Sequence, residues 1–238
     1  MNLLAFDTST DLMTLAVQRT ASPGNPGGPV WQHTAPGGAQ TSAHLIPAIQ
    51  HLMVQAELQF SDLTAIVFGN GPGSFTGLRT ACSVAQGLAF GAGVPVLPID
   101  TLLAVAEEAR HSQARDSPQW QVTCLLDARM DEVYTAAYAF DMGAWTQTSA
   151  YRLLSPEQLV NDAGHALAGN VFASYGARLS DTTAPRLEAV PTASALLRLA
   201  PALLAAGRAV RADQALPLYI RDKVAKTTLE RATEKAAQ

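Results

Sequence analysis

The sequence predicts an α/β protein of two lobes, each a mixed sheet flanked by helices. Three observations carry this. Up to residue 110 the elements run β-β-β-α-β-α-β-α, a three-stranded meander extended by parallel strands through crossover helices. A polar stretch, 111–118, then breaks the pattern. Beyond it a strand–turn–strand opening recurs, as an internally duplicated fold requires. The expected lobes are 1–110 and 111–238, with the C-terminal tail packing back on the first.

The chain opens with Leu3-Leu4-Ala5-Phe6, a turn at 7–11 and a second apolar run at 12–17. Asp7, Thr8, Ser9 and Thr10 have short side chains that bond their own backbone, so the two runs read as a hairpin. A third strand at 30–33 follows a Pro/Gly loop, 22–29. A helix is expected over 42–57, where Leu45, Ile46, Ile49, Leu52, Met53 and Ala56 recur at helical spacing. His44 and His51 on it stand seven apart, whereas a helical metal pair stands three or four apart, so they read as surface or interface histidines. A buried strand follows at 63–68, then a glycine-rich stretch at 69–79, then a helix through Gly91 with Ser74 or Thr76 as its N-cap. A strand at 94–99 and a helix at 101–110 complete the first lobe. In the second, strands are expected at 121–126, 133–140 and 146–153 around a turn at 127–132. A helix should start after Ser155, with Pro156 at its first position, and another near 192–206. Pro217-Leu218-Tyr219-Ile220-Arg221 and a mixed-charge tail end the chain.

The glycine-rich stretch, with Gly71, Gly73, Ser74, Gly77 and Arg79, admits two readings. Strand, glycine turn and helix can aim backbone N–H groups at an anion. The same arrangement also serves a tight turn before a closely packed helix, and the P-loop ending Gly-Lys-Ser/Thr is absent, which favours the turn. The helix that follows has no charge from Thr80 to Gly91 and small side chains on every face, so it expects protein all round. It is too short and too polar to span a membrane.

Composition narrows the classes further. With 238 residues, 48% of them hydrophobic, and mean hydropathy near zero, the chain can bury a sizeable core. The first residues have no basic region and meet a charge at Asp7, so no signal peptide is expected, and with the cysteines reading as reduced thiols the cytoplasm is the expected compartment. Cys82 and Cys124 lie in apolar runs and read as reduced core thiols. Residues 1–100 carry only seven charges, and the other 138 residues carry 29. So little charge means either a core or an apolar face turned to a partner. A net charge of −4 gives no whole-molecule attraction to nucleic acid.

The order of elements resembles one lobe of the actin, Hsp70 and sugar-kinase superfamily, in which the turn between the first two strands faces nucleotide phosphates. Four blocks are more specific: Asp7-Thr8-Ser9-Thr10, Gly71-Pro72-Gly73-Ser74-Phe75-Thr76-Gly77-Leu78-Arg79, Asp127-Ala128-Arg129-Met130-Asp131-Glu132-Val133-Tyr134 and Pro217-Leu218-Tyr219-Ile220-Arg221. Together, and over nearly the whole chain, they resemble the bacterial TsaB family of tRNA threonylcarbamoyladenosine biosynthesis proteins, also called YeaZ or glycoprotease-like. The resemblance implies a two-lobed actin-like fold and a non-catalytic role beside a catalytic paralogue, TsaD. With the ATPase TsaE, that pair installs threonylcarbamoyl on the adenosine next to certain tRNA anticodons. It implies contact with tRNA through the complex, no membrane, and no cofactor held tightly by this chain alone, a nucleotide at the partner interface being left open. The paralogue binds metal through a His-x-x-x-His pair, and 99–105 here has no histidine, so no metal is expected. The match departs from the family at Thr41-Ser42, where a His followed by Ser or Thr is usual, and in a longer Pro/Gly loop.

An enzyme reading, as an ATP-dependent phosphotransferase or a metallopeptidase, stands as the alternative. Against it, Asp7–Thr10 is only a degenerate phosphate-loop-like turn, and the second-lobe turn offers Arg129 and Met130 in place of glycines. Gly169 is a single glycine where a nucleotide-binding relative would use a cluster. Asp7 either helps hold magnesium through water or stabilises a hairpin turn, the turn being favoured. Arg79 pairs either with an internal carboxylate or with a partner's acidic group. The partner surface is expected on the two first-lobe helices, through Leu45, Ile49, Leu52, Met53, Leu78, Ala81, Val84, Ala85 and Leu88. The same face would form a homodimer when the paralogue is missing, and Ile49→Glu is expected to break both assemblies and leave the fold intact.

Overall fold

Period-2 alternation in the first strand sends its side chains into two separate cores, and the first lobe is layered accordingly. The computed structural model describes residues 1–20, 28–179 and 183–221. β1 (Leu3–Asp7) pairs antiparallel with β2 (Leu12–Gln18), which pairs with β3 (Val30–Pro36). β4 (Ala65–Gly71) lies parallel to β1, and β5 (Val96–Asp100) parallel to β4, giving the order β3-β2-β1-β4-β5. Leu4 and Phe6 point to one face, where α1 (Thr41–Gln55) and α2 (Phe75–Ala92) pack. Leu3 and Ala5 point to the other.

The second sheet repeats this plan. β6 (Gln119–Arg129) and β7 (Glu132–Asp141) form its hairpin, and β8 (Ala144–Gln147) and β9 (Arg152–Leu154) both pair with β7. β10 (Ala166–Gly169) and β11 (Arg186–Glu188) continue parallel to β6, giving β11-β10-β6-β7-β8. With β8 and β9 counted as one interrupted strand, each sheet thus reads third-second-first-fourth-fifth in its own chain order. This is the two-lobed actin, Hsp70 and sugar-kinase arrangement.

The second lobe is the reduced copy. The strand expected at 146–153 is split into β8 and β9, because Ser149 turns inward and its hydroxyl accepts from the Ala137 N–H at 2.8 Å. The helix expected after Ser155 is a single turn, Pro156–Gln158, although Ser155 and Gln158 form a capping box. Leu159 then drops into the core, and Asn161-Asp162-Ala163-Gly164 turns the chain. Between β10 and β11, the one helix among the described residues is the short α4 (Phe172–Tyr175).

Two helices cross between the lobes. α3 (Thr101–Gln113) leaves the first sheet, yet Leu102, Val105, Ala106 and Ala109 pack against Val122, Cys124 and Tyr138 of the second. α5 (Ala193–Ala205), capped by Thr192, follows the second sheet, yet Leu196, Leu197 and Leu199 pack against Leu3, Val67 and Leu97 of the first. The sequence places α5 in a second lobe beginning at 111; its buried face belongs instead to the first sheet. A Glu107–Arg198 pair at 2.9 Å and an Arg198–Glu108 pair at 2.6 Å join the two helices. After α5 the chain returns along the first sheet, where Val210 bridges Val96, and the Cys82 thiol and the Gln86 amide donate to the Ala215 carbonyl. Most of the 22–29 loop and the charged tail beyond 221 lie outside the described residues.

Candidate functional site

The two hairpin turns face each other across the cleft between the sheets. In the first, an Asp7 carboxylate oxygen accepts from the Ser9 N–H at 2.9 Å and the Ser9 hydroxyl at 2.6 Å, which closes the turn. The glycine-rich stretch lies directly on it. The Thr8 hydroxyl donates to the Gly77 carbonyl at 2.7 Å, and the Ser74 N–H donates to the Ser9 carbonyl at 2.7 Å. A Cβ on Gly77 would stand 1.9 Å from the Thr8 oxygen, and one on Gly73 2.6 Å from Ser9. These glycines therefore let α2 begin against the first turn. Asp7, Thr8 and Ser9 are buried as a result, so the phosphate-loop-like turn is covered by the chain's own helix start. Ser74 is the N-cap, accepting from the Gly77 N–H. The second Asp7 oxygen has no hydrogen-bond partner among the described residues and sits over Gly69, whose Cβ would come within 1.7 Å of it. Burial pushes this carboxyl up to about 6, and the Ser9 hydrogen bonds only partly oppose that.

In the second turn Arg129, Met130 and Asp131 take φ values of 61°, 56° and 60°, three consecutive left-handed residues without a glycine. Each such residue costs about 1–2 kcal/mol, so the turn must be held by its surroundings. Asp127 accepts from the Arg129 N–H at 2.8 Å and the Tyr175 hydroxyl at 3.1 Å, and its own N–H donates to Asn170 at 2.9 Å. Arg178 pairs with Asp131 at 2.8 Å. Arg129 reaches across the cleft to Asp11 at 2.5 Å. Gly169 serves strand packing, since its Cβ would lie 1.8 Å from the Leu125 carbonyl.

The 217–221 block straps both turns together. The Leu218 N–H donates to the Asn70 carbonyl at 2.7 Å, and Gly71, at φ 119°, brings its Cα close under the Leu218 carbonyl. Tyr219 packs on Phe75 and accepts from Arg79 Nε at 3.1 Å. Arg221 donates to the Ala128 carbonyl at 3.0 Å and pairs with Glu132 at 2.6 Å. A cavity of about 250 Å³ remains between strap and turns, lined by Ser9, Ser74, Leu78, Asp127, Tyr134 and Tyr219 among others. Deeper in, Tyr138 of the second sheet donates to Asp100, which caps α3, and burial raises that carboxyl to about 6. The supporting residues Asn170, Tyr175, Arg178 and Tyr138 escaped sequence reasoning, because each meets its partner only through the tertiary fold.

The outer helices correct the expected partner surface. Leu45, Ile49, Leu52, Met53, Leu78, Ala81 and Ala85 are buried beneath α1 and α2, in contact with the sheet; only Val84 and Leu88 are partly exposed. The helical stripe read as partner-facing is the face that this small sheet itself needs. Ile49→Glu would accordingly bury a charge in the core. What the helices turn outward is Ile46, Val54 at 76% exposure and Phe90 at 85%, with His44 and His51 exposed on α1. Arg79 is the one charge on the 18 residues of α2. Gly87 and Gly91 lie within α2 with nothing inside 4 Å of where a Cβ would stand. Cys82 and Cys124 are free and buried. Among the described residues no cluster of His, Cys, Asp and Glu could hold a metal, and no helix is long and apolar enough to cross a membrane.

The family model described as TsaD, tRNA N6-adenosine threonylcarbamoyltransferase, matches residues 32–229. TsaB of Escherichia coli is 29% identical over 94% of this chain and 96% of its own length. TsaB of Haemophilus influenzae is 30% identical over 94% and 95%. The structure of YeaZ from Pseudomonas aeruginosa superposes with a TM-score of 0.80 at 34% identity, covering 92% of this chain and 99% of that one. The chain therefore belongs to the family that the model covers and, within it, stands with the TsaB proteins of tRNA threonylcarbamoyladenosine biosynthesis.

Proposed function

We propose that the protein is the non-catalytic subunit that binds and orders a TsaD-like catalytic paralogue through the outward face of α1 and α2. The observation that carries this is the pair Gly87 and Gly91. A glycine inside a helix costs about 1 kcal/mol relative to alanine, and here neither φ nor internal packing requires one. Their open backbone, beside exposed Phe90 and Val54, leaves room for another helix to approach closely. The first turn supports the same reading, since Asp7, Thr8 and Ser9 are buried and Thr8 and Ser9 already bond the start of α2. On this reading the chain alone holds no cofactor tightly, and any nucleotide sits at the partner interface. A TsaE-like ATPase and tRNA join through the complex in the cytoplasm, and the same face pairs two copies when the paralogue is absent.

Gly87→Trp tests this. The side chain projects into open space, so circular dichroism should match the parent and the melting temperature should not fall. Titration calorimetry with the purified TsaD-like paralogue of the same organism should show at least a hundredfold loss of affinity. Threonylcarbamoyl transfer to tRNA by the reconstituted proteins should fall with it. A folded variant with parental affinity would exclude this face.

A further inference from the structure

We propose that Arg79 is the charged anchor of that face, its guanidinium gripping a carboxylate of the TsaD-like paralogue. The inference rests on the reading of α1 and α2 as the docking surface. Sequence alone leaves Arg79 a choice between an internal and an external acid. Among the described residues no carboxylate pairs with it, and no acidic residue lies in the first turn of α2.

The side chain is nevertheless fixed. Its Cζ lies 3.7 Å over the Phe75 ring, and Nε donates to the Tyr219 hydroxyl at 3.1 Å. Tyr219 is itself packed on Phe75 at 5.5 Å and tethered through the Leu218–Asn70 hydrogen bond. Stacking occupies the guanidinium face and Tyr219 occupies Nε, which leaves the Nη1 and Nη2 donors without a partner among the described residues. Such an edge presents a fork whose spacing suits a carboxylate or a phosphate, already oriented before binding. The surroundings select between these. Nucleic acid is held by several basic residues together, and Arg79 has no cationic neighbour on α2. An arginine beside an uncharged, apolar helix face is instead the composition of a protein-interface hot spot. Because Tyr219 comes from the strap, the cleft also sets the geometry of the anchor.

The test measures paralogue affinity by calorimetry, and tRNA affinity of the assembled pair, for Arg79→Gln, Arg79→Lys and Tyr219→Phe. Arg79 is exposed, so all should fold like the parent. Arg79→Gln should weaken the paralogue complex about 30-fold and flatten its salt dependence. Arg79→Lys, which keeps the charge and loses the fork, should lose about tenfold. Tyr219→Phe, which keeps the ring stack, should lose a few-fold. Reversing charge at Arg79 and at the contacted acid of the paralogue should restore binding. If the parent fails to bind the paralogue, the docking surface and its anchor both fall. If the parent binds and Arg79→Gln binds equally well, the anchor alone is wrong. Loss of tRNA affinity with paralogue affinity unchanged would overturn it in favour of a nucleic-acid phosphate.

Discussion

Two glycines of α2, ten residues apart, should respond to the same substitution with opposite sign. In Gly77→Ala the new Cβ stands 1.9 Å from the Thr8 carbonyl oxygen and 3.0 Å from its carbon, both backbone atoms that cannot swing away. The start of α2 must therefore lift off the first turn. Overpacking of this kind costs about 1–3 kcal/mol. The Thr8–Gly77 hydrogen bond, at 2.7 Å, is strained or lost for about 1 kcal/mol more. Alanine's helix preference returns at most about 1 kcal/mol, leaving a net loss near 2 kcal/mol. In Gly87→Ala only the helix preference acts, because nothing lies within 4 Å, and the variant should gain about 1 kcal/mol. Melting temperatures should then move by roughly −6 and +3 °C for a chain of this size. Urea unfolding of both variants checks the separation of about 3 kcal/mol, provided the m-value is unchanged. Equal shifts, or a neutral Gly77→Ala, would refute the account of the glycine-rich stretch as a close-packing device.

Three further outcomes follow from the same geometry. Arg221→Ala removes the donor to the Ala128 carbonyl and the partner of Glu132, so amide exchange across 128–132 should speed up about tenfold or more, with the β1 amides unchanged. Ile49→Glu places a carboxylate in the core at 0% exposure and should destabilise by about 4 kcal/mol or more, read as loss of the cooperative melt at 37 °C. Asp7 is raised from an ordinary 3.8 to about 6 in the folded chain, so the folded state takes up a proton as pH falls through 6. Its stabilising contribution is complete below 3.8 and lost as pH rises through 6. The stability of the parent relative to Asp7→Asn should accordingly increase by about 1 kcal/mol between pH 7 and 5, measured by urea titration at each pH.

Local signals were the legible ones. The hairpin at 7–11, the N-cap at Ser74 or Thr76 (the structure takes Ser74) and the first five strands follow from turn chemistry, capping and apolar runs of buried strands, all of which act over a few residues. The sequence also favoured a close-packing role for the glycines, and the structure supplies the atoms they approach. What it misjudged was competition for apolar surface. Leu45, Ile49 and Leu52 form a stripe that could serve a partner or a sheet, and only the sheet's position decides. Likewise, nothing near 193–205 says that α5 turns back to the first sheet, because the matching surface is formed by Leu3, Val67 and Leu97, far away in sequence. Ser155 followed by Pro156 announced a helix start correctly but could not set the length of what followed.

The interlocked helices bear on what the cleft can do. In two-lobed enzymes that close on a substrate, the lobes move about a hinge with few contacts to break. Here α3 and α5 each bury their apolar side against the opposite sheet, and Arg198 clamps one to the other. Arg129 bridges to Asp11, Tyr138 bonds Asp100, and Arg221 ties the strap to the strained turn. Opening the cleft would break these together, whereas α1 and α2 lie on the far side of the first sheet and need not move at all. A body held closed in this way supports the proposed role, a fixed helix face offered to a partner, with Arg79 held at its edge by the same strap that closes the cleft.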